Sequence, residues 1–226
     1  MNHLDDTKTP CNVGESHQGG RDQDSKACVV LNAASTIFFR NGFAGATTDM
    51  IQREAGVSKS TVYAHYSNKE TLFLAAIEAA CNDLTDKFRA IRFQPGKLRE
   101  TLKEFARAYL DILLSERGLA LTRIVVAEGE RFPDLAARFY VSGPMVVSNV
   151  FAGQLESAVS SGELILNGIE IAEAAILFTN LVRSEPQLLG LLDMGNSATR
   201  ENTISLDRWI EIVSDNFIQA YVKFSL

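Results

Sequence analysis

The apolar positions of the chain recur at helical spacing along most of its length, and the alternation that marks β-strands is almost absent. The pattern predicts a first helix over residues 24–41, whose apolar stripe runs from Val30 to Phe38. Gly42 follows at the position where a glycine commonly ends a helix. The sequence is therefore expected to form an all-α protein.

Two short helices are predicted next. A threonine pair at residues 47–48 provides an N-cap for a second helix that ends at Ala55, and Gly56 makes the turn. Ser58 is expected to cap a third helix, with a valine before the cap and another in its first turn forming a hydrophobic staple. Two short helices joined by such a turn are typical of a helix-turn-helix.

A larger helical body is predicted after the third helix. Asn68 is expected to cap a fourth helix, and residues 143–144, Gly-Pro, are expected to kink a later one. Residues 171–182 are apolar almost all round, so they are expected to be buried on two sides, with one side available to a partner subunit. The further predicted helices span residues 97–116, 119–129, 134–160, 169–183 and 205–224.

Charge is divided unevenly along the 226 residues, whose formal net charge is −6. Residues 1–20 carry a net charge of −2, residues 21–70 carry +1 and residues 71–226 carry −5. The region with the two short helices is therefore the least acidic part of the chain. This distribution permits contact with a polyanion such as DNA there, although the whole chain is acidic.

The sequence predicts a protein of the reducing cytoplasm. Its three cysteines are widely spaced and form neither a disulfide framework nor a metal-binding pair. No apolar run approaches the roughly 20 residues that a membrane-spanning helix needs, and the N-terminus lacks the apolar segment of a secretory signal. No metal and no cofactor are expected.

The outward face of the third helix carries the candidate chemistry. One side of this helix is expected to be buried, with Tyr66 in the core. A major groove admits one α-helix, which is read by side chains near the start of that helix. Lys59 can reach a guanine edge or a phosphate, and Ala64 can contact a thymine methyl group. The outward residues are Lys59, Ser60, Tyr63 and Ala64, and the candidate phosphate contacts are Thr48, Thr61, Tyr63 and Lys69.

The run "AASTIFFRNGFAGATTDMIQREAGVSKSTVYAHYSNKETLF" resembles the N-terminal DNA-binding domain of TetR/AcrR-family transcriptional regulators. The resemblance implies base contacts at Lys59, Ser60, Tyr63 and Ala64, and backbone contacts at Thr48, Thr61, Tyr63, His65 and Lys69. The chain departs from some members at Asp49, where they use an arginine on a base and where a carboxylate would repel phosphate. The expected domains are a disordered arm at 1–22, the helix-turn-helix domain at 23–68 and a ligand-binding and dimerisation body at 69–226.

The run "EGERFPDLAARFYVSGP" in the body resembles the AefR-like subgroup of C-terminal domains. The resemblance implies a homodimer formed through the last two helices and a small-molecule effector bound within the body. It also implies that the effector releases the dimer from a palindromic operator, so that the protein is a repressor. A dimer is also expected on geometric grounds, because two-fold symmetry doubles the contacts that one short recognition helix makes.

The sequence favours a regulator over an enzyme or a helical adaptor. An enzyme would need a nucleophile with its base, paired carboxylates or a phosphate-binding glycine loop, and none of these assembles in the sequence. A helical adaptor would not need hydroxyls and a lysine on a stapled short helix. Cys81 is more typical of a buried apolar residue than of a redox switch, and Arg123 is expected at the surface. The aromatic residues at 88, 105, 109, 132, 140 and 151 belong either to the core or to an effector cavity.

Overall fold

The computed structural model describes residues 18–85, 88, 91–192 and 204–221, and these form ten helices and no strand. Most of the arm predicted at 1–22 lies outside the described residues, and α1 begins earlier than predicted, at Gln18. The helices are α1 (Gln18–Gly45), α2 (Thr48–Ala55), α3 (Lys59–His65), α4 (Lys69–Thr85), α5 (Leu98–Leu113), α6 (Glu116–Glu128), α7 (Pro133–Ser142), α8 (Pro144–Ser160), α9 (Ile171–Leu191) and α10 (Leu206–Tyr221). The all-α prediction is confirmed.

The predicted caps of α2, α3 and α4 are present, and the glycine predicted to end the first helix interrupts it, although α1 continues to Gly45. Gly42 interrupts α1 with a φ of +66°, a left-handed value that favours glycine. The Thr47 hydroxyl accepts a hydrogen bond from the Met50 amide at 3.2 Å and so caps α2. Gly56 ends α2 with a φ of 65°. The Asn68 side chain accepts from the Thr71 amide at 2.7 Å, at the start of α4.

The helices pack around two apolar cores. The first, here called the N-terminal core, contains buried residues of α1 to α4 and is completed by residues from α6 and α7. Phe38 and Phe73 lie at its centre with their rings 4.8 Å apart. The contributions from α6 and α7 are Leu121, Ile124, Val125 and Leu135. The DNA-reading part predicted from the sequence therefore shares its core with two helices of the body.

The second core, here called the C-terminal core, lies among α5, α8, α9 and α10 and is rich in aromatic rings. Phe151 is fully buried, with ring centroids 4.4 Å from Phe105 and 4.6 Å from Phe178. The predicted helix over 134–160 is two helices in the structure, α7 and α8, which meet at Gly143. The expected interruption at Gly143-Pro144 is confirmed, and it separates a helix of one core from a helix of the other.

The helix α9 continues beyond the predicted end at 183 and contains Pro186 in its interior. Proline has no amide N–H, so the Val182 carbonyl loses its usual partner four residues later. The Trp209 indole of α10 donates to that carbonyl at 2.9 Å. Arg123 is exposed, as predicted, and its guanidinium donates to the carbonyls of Gly190 and Leu191 at the end of α9. The indole bond thus satisfies the carbonyl that Pro186 leaves without a partner, and the Arg123 bonds satisfy carbonyls at the C-terminal end of α9.

One face of α9 remains exposed in the single chain. Phe178 and Val182 are buried, while four large apolar side chains on the other side are about half-exposed. They are Ile176, Leu177, Leu181 and Leu188. The predicted burial on two sides is therefore met on one side within the chain. Among the described helices, none is long and apolar enough to cross a membrane.

The described cysteines lie in α1 and α4. Cys81 is a free, buried thiol, in agreement with its predicted apolar role. Cys28 is disulfide-bonded, which the cysteine spacing did not predict.

Candidate nucleic-acid interface

The N-terminus of α3 is exposed to solvent and is capped by a serine hydroxyl. The Ser58 Oγ accepts a hydrogen bond from the Thr61 amide at 3.1 Å. The same oxygen lies 2.8 Å from the hydroxyls of both Ser60 and Thr61. Val62 is buried against the N-terminal core. The short helix therefore has one anchored side and one polar side that is free to meet a ligand.

The residues predicted to face outward are exposed. Tyr63 is 44% exposed, and Lys59, Ser60 and Ala64 are also exposed. The predicted phosphate contacts Thr48, Thr61, His65 and Lys69 are each partly buried. Tyr66 packs against the N-terminal core as predicted, and its burial raises the pKa of its hydroxyl. The predicted roles of the outward residues remain predictions.

Two polar contacts join the first turn of α2 to the exposed side of α3. The Thr48 hydroxyl lies 3.3 Å from the Tyr63 hydroxyl. The Lys59 ammonium donates to the Asp49 carboxylate at 3.0 Å, and this hydrogen bond, then the carboxylate charge, raises the pKa of Lys59. Both side chains of the second contact are more than half exposed. The four residues therefore form a continuous polar edge across two helices.

This edge changes the interpretation of Asp49. The sequence indicated only that a carboxylate at this position would repel phosphate. In the structure the carboxylate is paired with the lysine predicted to contact a base. The pair has no formal net charge, so its electrostatic cost near DNA is smaller than that of a free carboxylate. The ten-residue separation of the two residues offered no local signal for this contact.

A second group of cations lies beside Phe43. The Lys69 ammonium sits 4.4 Å from the centre of the Phe43 ring, and the Arg131 guanidinium sits 5.4 Å from the same centre. Arg131 also lies 5.1 Å from the ring of Phe132, which packs edge-on against Phe43. Lys69 is the first residue of α4, and Arg131 lies in the turn between α6 and α7. Sequence reasoning missed Arg131, because no spacing rule connects it to the motif.

The structure divides the candidate cavity residues among three environments. Phe88, Phe105, Tyr109 and Phe151 are buried in the C-terminal core. Phe132 packs against the N-terminal core, and Tyr140 on α7 is 54% exposed. Within the described part of the chain, no group of three or more acidic, histidine or cysteine residues is arranged to hold a metal ion.

A capped, exposed short helix tied to the helix before it defines a helix-turn-helix protein. Residues 30–76 match the family of bacterial regulatory proteins called the tetR family. Residues 100–223 match the C-terminal domain of the AefR-like transcriptional repressors, a match that covers more than half of the chain. The chain belongs to the TetR family of transcriptional regulators, with an AefR-like C-terminal domain.

Individual relatives agree with this assignment. The transcriptional activator FasR of Mycolicibacterium smegmatis is 31% identical over 45% of this chain and 47% of its own. The regulator UidR of Escherichia coli K12 is 29% identical over 60% of this chain and 67% of its own. The chain thus spans about half the length of the first relative and two thirds of the second.

Solved structures extend the agreement to the whole fold. The flavonoid-responsive regulator FrrA is 33% identical with a TM-score of 0.73, over 89% of this chain and all of that one. A TetR-family regulator from Mesorhizobium loti has a TM-score of 0.78 at 22% identity, over 89% of this chain and 98% of that one. The second likeness concerns the fold alone.

Proposed function

We propose that this chain is a cytoplasmic repressor that binds a palindromic operator as a homodimer and leaves it when a small molecule binds its helical body. One observation carries the proposal. The side of α3 that bears Lys59 and Tyr63 is exposed, capped by Ser58 and fixed to α2 by two polar contacts. A helix that is to be inserted into a major groove needs such an open and rigid face. The proposal includes no catalytic role.

We assign two kinds of contact to the polar face. Residues at the start and outer side of α3 would contact base edges in the major groove. Hydroxyl groups and cations around them would contact phosphates and fix the position of the helix. The proposed base contacts are Lys59, Ser60, Tyr63 and Ala64, and the proposed phosphate contacts are Thr48, Thr61, Tyr63, His65 and Lys69.

The exposed face of α9 supports a dimer through the last two helices. Four neighbouring apolar side chains that are about half-exposed are unusual unless another surface covers them. A second copy of the chain would bury the same face by two-fold symmetry. Such a dimer would present two α3 helices to successive turns of the major groove, about 34–36 Å apart. An effector that binds more tightly to a dimer whose two α3 helices are at a different separation would lower the operator affinity by linkage.

We infer an apolar, aromatic effector for the body. The name of FrrA describes a response to flavonoids, which are flat aromatic molecules. The C-terminal core of this chain is rich in aromatic side chains, such as Phe105 and Phe151 with ring centroids 4.4 Å apart, and a flat ring could stack on them once they move apart. Titration of a flavone and a flavanone into the protein–operator complex tests this inference. Micromolar release by a flavonoid supports it, and release only by a straight-chain acyl compound contradicts it.

The first experiment measures fluorescence anisotropy on DNA from upstream of the gene for this protein, at two salt concentrations. We expect tight, salt-sensitive binding, because cation–phosphate contacts release counterions. Lys59→Ala and Tyr63→Ala should each weaken it about tenfold or more, since a contact to DNA is worth about 1–3 kcal/mol. The matched controls are Lys103→Ala, which also removes an ion-paired lysine, and Tyr140→Ala, which removes an exposed tyrosine of the body.

The control variants and the selection of DNA by the ligand-free protein decide whether the proposal holds. The controls should bind as the parent does, and all four variants should remain dimers. If neither the upstream DNA nor any sequence from a random pool is selected by ligand-free protein, the proposal is wrong. If Tyr63→Ala dissociates the dimer, the role of Tyr63 is structural.

A reporter assay separates repression from activation. The relative FasR is named an activator, so the sign of regulation needs its own test. A reporter gene placed behind the selected operator should be expressed less when this protein is present, and expression should return with Tyr63→Ala. Increased expression in the presence of the parent protein would make it an activator.

A further inference from the structure

The contact between Asp49 and Lys59 has a geometry that fits one base pair. Lys59 is the first residue of α3, and Asp49 lies in the first turn of α2, so the pair bridges the DNA-facing ends of both helices. Both side chains are more than half exposed, and their polar atoms are 3.0 Å apart. The pair therefore presents a hydrogen-bond donor and an acceptor side by side on the face assigned to the major groove.

The major-groove edge of a G·C pair offers the complementary arrangement. Guanine presents the acceptors N7 and O6, and cytosine presents the N4 amino donor. Guanine O6 and cytosine N4 are themselves joined by an N–H···O hydrogen bond, about 2.9 Å long. The spacing of the donor and the acceptor on the protein thus matches the spacing of their partners on the two bases.

We propose that Asp49 and Lys59 together read one G·C base pair in each half-site, with Lys59 donating to the guanine and Asp49 accepting from the cytosine amino group. This inference rests on the proposed DNA-binding function and names part of its specificity. Asp49 then has a defined purpose, because a carboxylate that is neutralised by its own lysine can approach the bases without strong repulsion.

The inference also separates Lys59 from Lys69 by their response to salt. Lys59 is already neutralised by Asp49, so its contact with a base releases few counterions. Lys69 has no ion-pair partner within the described part of the chain and lies over the Phe43 ring. A cation that neutralises a phosphate contributes about 0.9 to the slope of log affinity against log salt concentration. Lys69→Ala should therefore lower this slope by about one, while the double variant Asp49→Ala with Lys59→Ala, which removes a pair of zero net charge, should leave it nearly unchanged.

The test uses the full-length dimer and an operator selected by the wild-type protein from random DNA. Every base pair of one half-site is replaced in turn, and the affinity of each duplex is measured for the wild type, Asp49→Ala, Lys59→Ala and the double variant. We expect the wild type to prefer G·C at one position by about tenfold or more. Both single variants should lose the preference at that same position and keep it elsewhere. The double variant should lose it too, but it should bind every duplex more tightly than Lys59→Ala, which leaves the Asp49 carboxylate unpaired.

Controls exclude a general effect of charge or folding. Asp134→Ala also removes an exposed acid from the first turn of a helix, and it should change no preference. Thermal unfolding of each variant identifies any loss of structure. Asp49→Asn keeps a carbonyl acceptor, so it should keep part of the G·C preference that Asp49→Ala loses.

Three results would overturn the inference. If Asp49→Ala binds every duplex more tightly by the same factor, Asp49 only repels phosphate. The inference also fails if the two single variants change preferences at different base pairs, or if the wild type prefers A·T at the shared position. A wild-type protein that selects no DNA would instead overturn the proposed function, and the inference would fall with it.

Discussion

The N-terminal and C-terminal cores are both helical and both contain stacked aromatic rings, but they are assembled differently. The N-terminal core includes the short helices α2 and α3, whose first turns are fixed by caps three residues away, Thr47 and Ser58. The C-terminal core depends on contacts between distant helices, such as the bond from Trp209 to the Val182 carbonyl. The locally fixed helix ends thus lie at the proposed DNA interface, and the long-range contact lies in the body proposed to bind the effector.

The two cores are connected rather than separate. Helices α6 and α7 belong to the body in sequence, yet they bury residues such as Leu135 in the N-terminal core. Gly143 marks the point where α7 ends and α8 enters the C-terminal core. Helices α6 and α7 are therefore the packed connection between the C-terminal body and the helix-turn-helix. The following predictions test how far the two regions can be distinguished.

The largest expected effect comes from the exposed face of α9. Leu181→Glu places a charge on a side chain that is 46% exposed in the single chain and that the proposed dimer would bury. An unpaired charge is costly to bury, so we expect a monomer with operator affinity lowered by more than a hundredfold. Light scattering coupled to gel filtration measures the mass. Val126→Glu, at a 76% exposed position on α6, is the control and should stay dimeric. A dimeric Leu181→Glu variant would mean that another surface joins the subunits.

Removal of buried leucines should distinguish the two cores. Leu135→Ala in α7 and Leu155→Ala in α8 each delete a fully buried side chain, at a cost of about 2–5 kcal/mol. We expect Leu135→Ala to reduce hydrogen-exchange protection mainly in α1 and α4, and Leu155→Ala mainly in α5 and α9. Mass spectrometry of peptides measures both patterns. Equal loss of protection throughout both variants would show that the cores open as one unit.

Loss of the hydrogen bond from Trp209 of α10 to α9 should have a smaller effect on stability. A second substitution in α9 serves as its control. Trp209→Phe removes the donor to the Val182 carbonyl and leaves that buried acceptor unpaired, at a cost of about 1–3 kcal/mol. Pro186→Ala restores an amide N–H that can bond to the same carbonyl. The cost of Trp209→Phe should therefore be smaller in the Pro186→Ala background, as measured by urea unfolding. An unchanged cost would mean that the indole acts through packing alone.

The sequence predicted the helix-turn-helix well because the hydrogen bonds that fix the ends of its helices are local. The caps by Thr47, Ser58 and Asn68 each act over three residues, so spacing alone revealed them. The break at Gly143-Pro144 was recognised for the same reason.

Features that depend on tertiary contacts escaped prediction. The helix α9 was expected to end near 183, ahead of Pro186, but Trp209 supplies the bond that the proline removes. The approach of Arg131 to Phe43 and the pairing of Asp49 with Lys59 likewise join residues that no periodicity relates. These contacts of the candidate interface are thus set by packing between residues that are distant in the sequence.

The smallest predicted effect concerns the thiol of Cys81, which lies where the two regions meet. It belongs to the N-terminal core, and a side chain added at Gly143 would lie 3.5 Å from its sulfur. Burial raises the pKa of Cys81 from 9.0 to about 12. The folded state therefore favours the neutral thiol, and this stabilisation is fully present below about pH 9 and is lost between about pH 9 and 12.

Comparison with Cys81→Ala isolates this contribution, because the raised pKa values of Tyr66 and Tyr109 are common to both proteins. The difference in the free energy of unfolding should be constant from about pH 7 to 8. By about pH 10 it should move against the wild type by about 1 kcal/mol, since one pKa unit corresponds to about 1.4 kcal/mol. Urea unfolding at each pH measures the difference. A constant difference up to pH 10 would mean that Cys81 ionises in the folded protein as it does in the unfolded chain, and that water therefore reaches the junction at Gly143.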